Sequence, residues 1–256
     1  MNILVEQRGR ITVITINRPE VKNAVDRDTS RELSEAFKQF DENPESDVAI
    51  LTGSEGVFCA GADLKALSLG KGNRITKDGD GPMGPTRLTL SKPTIAAIEG
   101  FAVAGGLELA IWCDLRVASE KAILGVYCRR WGVPLVDGGT IRLPRLIGMS
   151  HALDLIITGR GVAGEEAKSM GLINRLCKEG ESLEVALKEA ENLLKFPQIC
   201  MRNDRLSAYK QWNMSLKDAI KQETELGLEV INSGESIKGA SRFTEGKGRH
   251  GSFKDY

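Results

Sequence analysis

Residues 93–118 read PTIAAIEGFAVAGGLELAIWCDLRVA. Pro93 to Ile98 is a short run of β-branched and small apolar residues, the pattern of a strand. Two glycines, Gly105 and Gly106, then open a helix predicted over Gly105–Cys113, and Leu115 to Ala118 forms another strand. Glu108 falls in the first turn of that helix, amid Leu107, Leu109, Ala110, Ile111 and Trp112. A carboxyl group flanked this way is either desolvated, which raises its pKa towards the range of a general acid/base, or turned to water and paired with the helix dipole. Strand, glycine break, helix and strand in close succession make this an α/β protein.

The same order is legible upstream. Ile3-Leu4-Val5 and Ile11 to Ile16 flank Gln7-Arg8-Gly9-Arg10, which suits a hairpin turn, and Asn17-Arg18-Pro19 ends the second strand. Asp28 or Thr29 is placed to cap a helix carrying Leu33, Ala36, Phe37 and Phe40 on one face. Val48 to Leu51 is a buried strand closed by Thr52-Gly53. Val57-Phe58-Cys59-Ala60-Gly61-Ala62-Asp63-Leu64 again runs from strand to helix. Its small residues let a ligand approach the backbone, and Asp63 suits an N-cap that leaves nearby N–H groups facing an anion. The alternative is a tight turn with no ligand. Residues 70–85 are glycine-rich, carry two prolines and lack an apolar period, so a mobile loop is expected there.

After Glu181 the strands stop. Leu183–Leu194, Ile199–Trp212 and Ala219–Ile231 have helical apolar spacing, with breaks at Pro197 and Asn213. The chain thus divides into a core over 1–180 and a helical region over 181–256. The apolar faces of that region are more than a domain of this size needs, and contact with other subunits is expected.

Composition narrows the function classes. The chain has 256 residues, 41% hydrophobic and 27% charged, with Lys+Arg and Asp+Glu equal at 35 each. No global field attracts nucleic acid or a membrane, and no apolar run is long enough to span a bilayer. The five cysteines, Cys59, Cys113, Cys128, Cys177 and Cys200, show neither CxxC pairing nor metal-ligand spacing, and only His151 and His250 accompany them. An odd cysteine count with no signal-peptide pattern suits reduced thiols in the cytoplasm and no metal.

FCAGADLK (58–65) and AGGLELA (104–110) together resemble the paired oxyanion-hole motifs of the enoyl-CoA hydratase/isomerase, or crotonase, family. NRPEVKNAV (17–25), GGTIRLPRLIG (138–148) and ITGRGVAGEEAKSMGLIN (157–174) extend the resemblance over nearly the whole chain. It implies a crotonase-like spiral of ββα turns with a helical C-terminal oligomerisation region, assembled as trimers or pairs of trimers. It also implies an acyl-CoA substrate, whose coenzyme A is part of the substrate, with no further cofactor. The N–H groups of Ala62 and Gly105 would receive the thioester oxygen. Ala60, Ala62, Asp63, Leu64 and Lys65 would line the pantetheine arm, with Lys22 and Ala24 near the coenzyme A end. Glu108 would be one of a pair of glutamates that position water and move protons.

The second glutamate of the family's hydratases is replaced here by Cys128. A thiol with a reference pKa near ~8.5 substitutes poorly for a proton-donating carboxyl group. Arg129 and Arg130 are placed to lower it, whereas a small buried thiol needs no activation. Asp137 is a candidate second acid/base, one position out of register with an aspartate that other branches of the family carry where this chain has Val136. Its competing reading is an N-cap for a helix over Gly138–Leu146. The resemblance favours a hydratase (lyase), then a double-bond isomerase. A non-catalytic CoA- or RNA-binding protein comes third, since the balanced charge argues against nucleic acid.

Overall fold

In the computed structural model, which describes residues 1–248, the chain forms two compact units, Met1–Ala190 and the residues from Glu191 onward. His250 lies outside the described residues. The first unit begins with a hairpin, β1 (Ile3–Arg8) and β2 (Ile11–Ile16), paired antiparallel with Ile3 opposite Ile16 and Arg8 opposite Ile11. The turn is therefore shorter than expected: Gln7 and Arg8 stay in β1, and only Gly9 (φ 60°) and Arg10 make the bend.

Helix α1 (Arg27–Glu42) is capped by Asp26, which accepts the Thr29 N–H at 2.9 Å, and not by Asp28 or Thr29 as expected. Asp26 has extended backbone, which aims its carboxylate at that N–H, while Asp28 and Thr29 already lie inside the helix. The predicted face of Leu33, Ala36, Phe37 and Phe40 is buried, and Phe37 meets Trp112 edge to face at 4.8 Å. Truncating Phe37 to alanine would cost about 3–5 kcal/mol.

There follow β3 (Val48–Gly53), α2 (Leu64–Ser68), β4 (Thr94–Ile98), β5 (Phe101–Val103), α3 (Gly105–Trp112), β6 (Leu115–Ser119), β7 (Ile123–Gly125), α4 (Gly139–Thr158), β8 (Gly161–Ala163), α5 (Gly164–Ser169) and β9 (Arg175–Cys177). Two sheets result, ordered β1-β2-β3-β4-β6-β9 and β5-β7-β8. From β2 to β9 the long sheet is parallel, with Ala49 beside Thr94, Ile95 beside Leu115 and Val117 beside Arg175. In each turn the chain leaves the long sheet, runs briefly along the second layer and enters a helix. Cys59 after β3 pairs with Ala102 of β5, and Phe101 of β5 with Ile123 of β7. This is the expected spiral of ββα turns. Stacking in this register sets residues 60–62 of one turn against 104–105 of the next.

Two expectations change. The 70–85 segment is not loose at its far end: Gly81 to Thr86 are buried, and a 3₁₀ turn spans Pro85–Arg87. Asp137 does not cap the next helix. That helix starts at Gly139 behind a left-handed Gly138 (φ 92°), with no side-chain cap. Its first part ends close to the expected Leu146, because Gly148 (φ 77°, ψ 159°) takes a conformation that only glycine adopts without strain and separates it from a second helix that runs to Thr158.

The remaining helices are α6 (Ser182–Leu194), within which the boundary between the units falls, α7 (Gln198–Lys210), α8 (Leu216–Ser233) and α9 (Glu235–Thr244). Pro197 precedes α7, and a 3₁₀ turn over Gln211–Asn213 follows it, as the breaks predicted. Helix α9 went unforeseen, because its apolar positions Ile237 and Phe243 are sparse.

Candidate active site

A cavity of about 380 Å³ opens where the turns stack. One wall comes from the segment after β3. Cys59 donates its N–H to Phe101 C=O at 2.8 Å and accepts that of Val103 at 3.1 Å, so the two segments run side by side. Gly61 follows with φ +98°, and a Cβ there would sit 2.8 Å from Ala104 Cβ and 3.0 Å from Gly105 N. Only glycine fits that approach. At the next residue, Val25 gives its N–H to Gly61 C=O (2.8 Å) and accepts that of Asp63 (3.0 Å). Ala62 lies between these bonds, and alternation along an extended chain turns its N–H away from Val25.

The facing wall is the N-terminus of α3. Ala104 holds φ 55° and ψ −125°, a strained conformation for a residue with a Cβ, worth about 1–3 kcal/mol. Its N–H is fixed by Gly125 C=O at 2.9 Å, and its own C=O accepts the Glu108 N–H at 3.2 Å. Gly105 is then the first helical residue, whose N–H has no intrahelical acceptor by geometry. Among the described residues no protein acceptor takes the N–H of Ala62 or of Gly105, and both residues line the cavity.

Glu108, one helical turn below Gly105, is 3% exposed and lines the same cavity. Its Oε1 accepts the N–H groups of Asp137 (2.9 Å) and Gly139 (2.8 Å). Burial pushes its pKa up to about 7; the Asp137 charge adds to this, and the two N–H donors oppose it. The water-facing reading of Glu108 is thereby excluded.

Asp137 is also 3% exposed and lines the cavity. The left-handed Gly138 turns its carboxyl group away from the helix, towards the 81–87 segment. There Oδ1 accepts the Met83 N–H at 2.9 Å and the Thr86 hydroxyl. Burial raises its pKa, against the Thr86 and Met83 hydrogen bonds and the charges of Arg87 and Arg142. Arg142 ties the corner together, donating to Asp137 C=O (2.8 Å) and Thr86 C=O (2.6 Å).

Cys128 lies buried in a 3₁₀ turn over Tyr127–Trp131 and lines the cavity. Its thiol is pushed up, first by burial and then by the Glu108 charge. Of the two arginines, Arg129 does oppose this rise through its backbone N–H and its charge, but burial outweighs it, and the small buried thiol remains the better description. Arg129 donates to Ile156 C=O at 3.2 Å, while Arg130 stacks on Tyr127 at 3.7 Å and donates to Gly159 C=O.

At the other end, Lys22, Ala60, Ala62, Asp63 and Leu64 line the cavity, and Lys22 Nζ lies 5.2 Å from the Phe101 ring centroid. Asp63 caps α2 through the Ala66 N–H (3.0 Å) and pairs with Arg18 at 3.1 Å. Two expected positions lie off the cavity wall. Lys65 is exposed and Ala24 is buried, neither lines the cavity, and the Ala24 C=O is taken by Arg18 at 2.6 Å. Met83 and Thr86 were missed. Met83 packs under Gly105, where a Cβ would meet its Sδ at 2.6 Å. An apolar residue between Pro82 and Pro85 at the end of a polar run was the available signal. Among the described residues no group of three or more His, Cys, Asp or Glu could hold a metal ion, and no helix is long and apolar enough to cross a membrane.

Residues 6–255 match the family model described as enoyl-CoA hydratase/isomerase. The enoyl-CoA hydratase EchA19 of Mycobacterium tuberculosis is 36% identical over 249 residues, covering 94% of this chain and 93% of that protein. A short-chain-enoyl-CoA hydratase of Clostridium acetobutylicum is 31% identical, with 95% of each chain covered. Among solved structures, the enoyl-CoA hydratase EchA1 of Mycobacterium marinum superposes with a TM-score of 0.89 at 36% identity, over 95% of this chain and 96% of that one.

Proposed function

Because the chain belongs to the enoyl-CoA hydratase/isomerase family, we propose that its cavity takes an acyl-CoA thioester and adds water to, or removes it from, the acyl chain. The observation that carries this reading is the pair of N–H groups, from Ala62 and Gly105, left without acceptors among the described residues on the wall that also holds the buried Glu108. A thioester oxygen between them gains negative charge when water attacks the β-carbon. Two fixed donors stabilise that enolate, each worth about 10²–10³ in turnover. Glu108, near its half-ionised state at neutrality, can both accept and return a proton.

The coenzyme A end would follow Lys22, Ala60, Asp63 and Leu64, and no cofactor is needed beyond the coenzyme A of the substrate. A double-bond isomerase is the second reading, since moving a proton off and back needs one carboxyl group and no water, and it ranks second because this chain keeps the carboxyl group at Glu108 and not at Cys128. The test is a panel of enoyl-CoA thioesters followed by mass spectrometry. Gain of water supports the hydratase. Unchanged mass with a shifted double bond supports the isomerase, and no turnover of any thioester removes both.

Assembly into trimers or dimers of trimers belongs to the same proposal. Leu216, Ile220, Leu228 and Ile231 on α8 are exposed, as are Met149, Leu153 and Ile157 along α4. Light scattering at micromolar concentration should give a multiple of three chains, and a stable monomer contradicts it. The five free thiols support a reducing, cytoplasmic compartment.

A further inference from the structure

We infer that Asp137 is the second catalytic carboxyl group, taking with Glu108 the part that Cys128 leaves open. The inference rests on the hydratase reading above and concerns how that site divides its protons.

The two carboxyl groups are held in matching ways. Glu108 fixes Oε1 on the N–H groups of Asp137 and Gly139, and Asp137 fixes Oδ1 on the Met83 N–H and the Thr86 hydroxyl. Among the described residues the other oxygen of each, Oε2 and Oδ2, has no hydrogen-bond partner, and neither atom is fully buried. Both residues are 3% exposed and both line the same cavity, where the stacked turns bring them together. A structural aspartate serving only to anchor the 81–87 segment would use both oxygens or hide the second. The groups are also neighbours, since the Asp137 N–H bonds the Glu108 carboxylate. Burial and then the Glu108 charge push the Cys128 thiol up, which makes it a still poorer proton donor.

Environment assigns the roles. Two hydrogen bonds and the charges of Arg87 and Arg142 favour the charged form of Asp137, while burial and the Asp137 charge favour a protonated Glu108. Asp137 therefore takes a proton from water as its oxygen bonds to the β-carbon. The double-bond electrons move into the enolate held by Ala62 and Gly105, and Glu108 gives its proton to the α-carbon. One water is added. Transfer of the proton from Asp137 to Glu108 restores the starting state. Arg87 and Arg142 face Asp137, and Cys128 faces Glu108.

Asp137→Asn tests this, because an amide oxygen can still accept from Met83 and Thr86 but cannot take a proton. The full-length variant should lose about 10²–10⁴-fold in kcat for enoyl-CoA hydration, keep KM and melting temperature, and lose the acidic limb of the pH profile. A folded variant with the parent's kcat and both limbs overturns the inference. So does a kcat loss matched by raised KM and lowered melting temperature, which marks a structural anchor. If the variant does not fold, the parent decides: its kcat must show two ionisations, and a single one overturns the proposal. A parent that hydrates no enoyl-CoA refutes the functional reading itself, whereas an active parent with an active Asp137→Asn refutes only this inference.

Discussion

Glu108→Gln separates catalysis from stability in one substitution, because the buried carboxyl group should destabilise the protein that needs it. Its pKa rises from 4.5 to about 7 on folding. At about 1.36 kcal/mol per unit, the shift corresponds to about 3 kcal/mol. The folded state holds this proton more tightly than the unfolded chain. Its contribution is fully present below pH 4.5 and is lost as pH rises through about 7. At pH 8.5 the parent therefore carries a buried carboxylate beside Asp137 that glutamine lacks. The glutamine oxygen can still accept from the Asp137 and Gly139 N–H groups, so the packing is kept. Relative to the parent, the variant should be about 3 kcal/mol better off at pH 8.5 than at pH 5. For a chain of this size that is about 6–12 °C in melting temperature. Urea unfolding of both proteins at several pH values, at one protein concentration, measures the difference. Turnover of enoyl-CoA should fall about 10²–10⁴-fold at every pH. A stability difference that stays flat from pH 5 to 8.5 would refute the burial argument, and full activity would refute the catalytic one.

Gly105→Pro removes one N–H donor at the first helical position, where proline is tolerated, and should cost about 10²–10³ in kcat. Gly105→Ala is its partner measurement, since it keeps the N–H and disturbs only Met83. Equal losses in the two would show that packing, not the donor, matters. Gly61→Ala puts a Cβ 2.8 Å from that of Ala104 at φ +98° and should lower both kcat and stability, which steady-state kinetics and thermal melts report together. Asp63→Ala deletes the cap on α2 and leaves Arg18 with Asp26, so unfolding experiments should find a loss of about 1 kcal/mol; an unchanged midpoint would mean the cap is redundant.

What the sequence made legible was whatever neighbours along the chain decide. The apolar run 94–98 and the two glycines were enough to place a strand and a helix start, whereas the hydrophobic neighbours of Glu108 left a desolvated and a water-facing carboxyl group both open until its burial was seen. The face of Leu33, Ala36, Phe37 and Phe40 followed from helical period alone. The short strands β7, β8 and β9 span three residues each and carry no period to read. Asp137 was harder for a different reason. An aspartate two residues before a helix has the local signature of a cap, and local rules could only offer that reading. Its true partners, Met83 and Thr86, lie 54 and 51 positions away, on a segment whose glycines and prolines suggested looseness. Each error explains the other: the segment is ordered at that end because Asp137 holds it, and Asp137 leaves the helix because the segment is there. A residue whose function depends on one distant backbone N–H and one distant hydroxyl leaves no periodic trace in sequence. It becomes visible only when the stacked turns bring Glu108, Asp137 and Cys128 to the wall of one cavity.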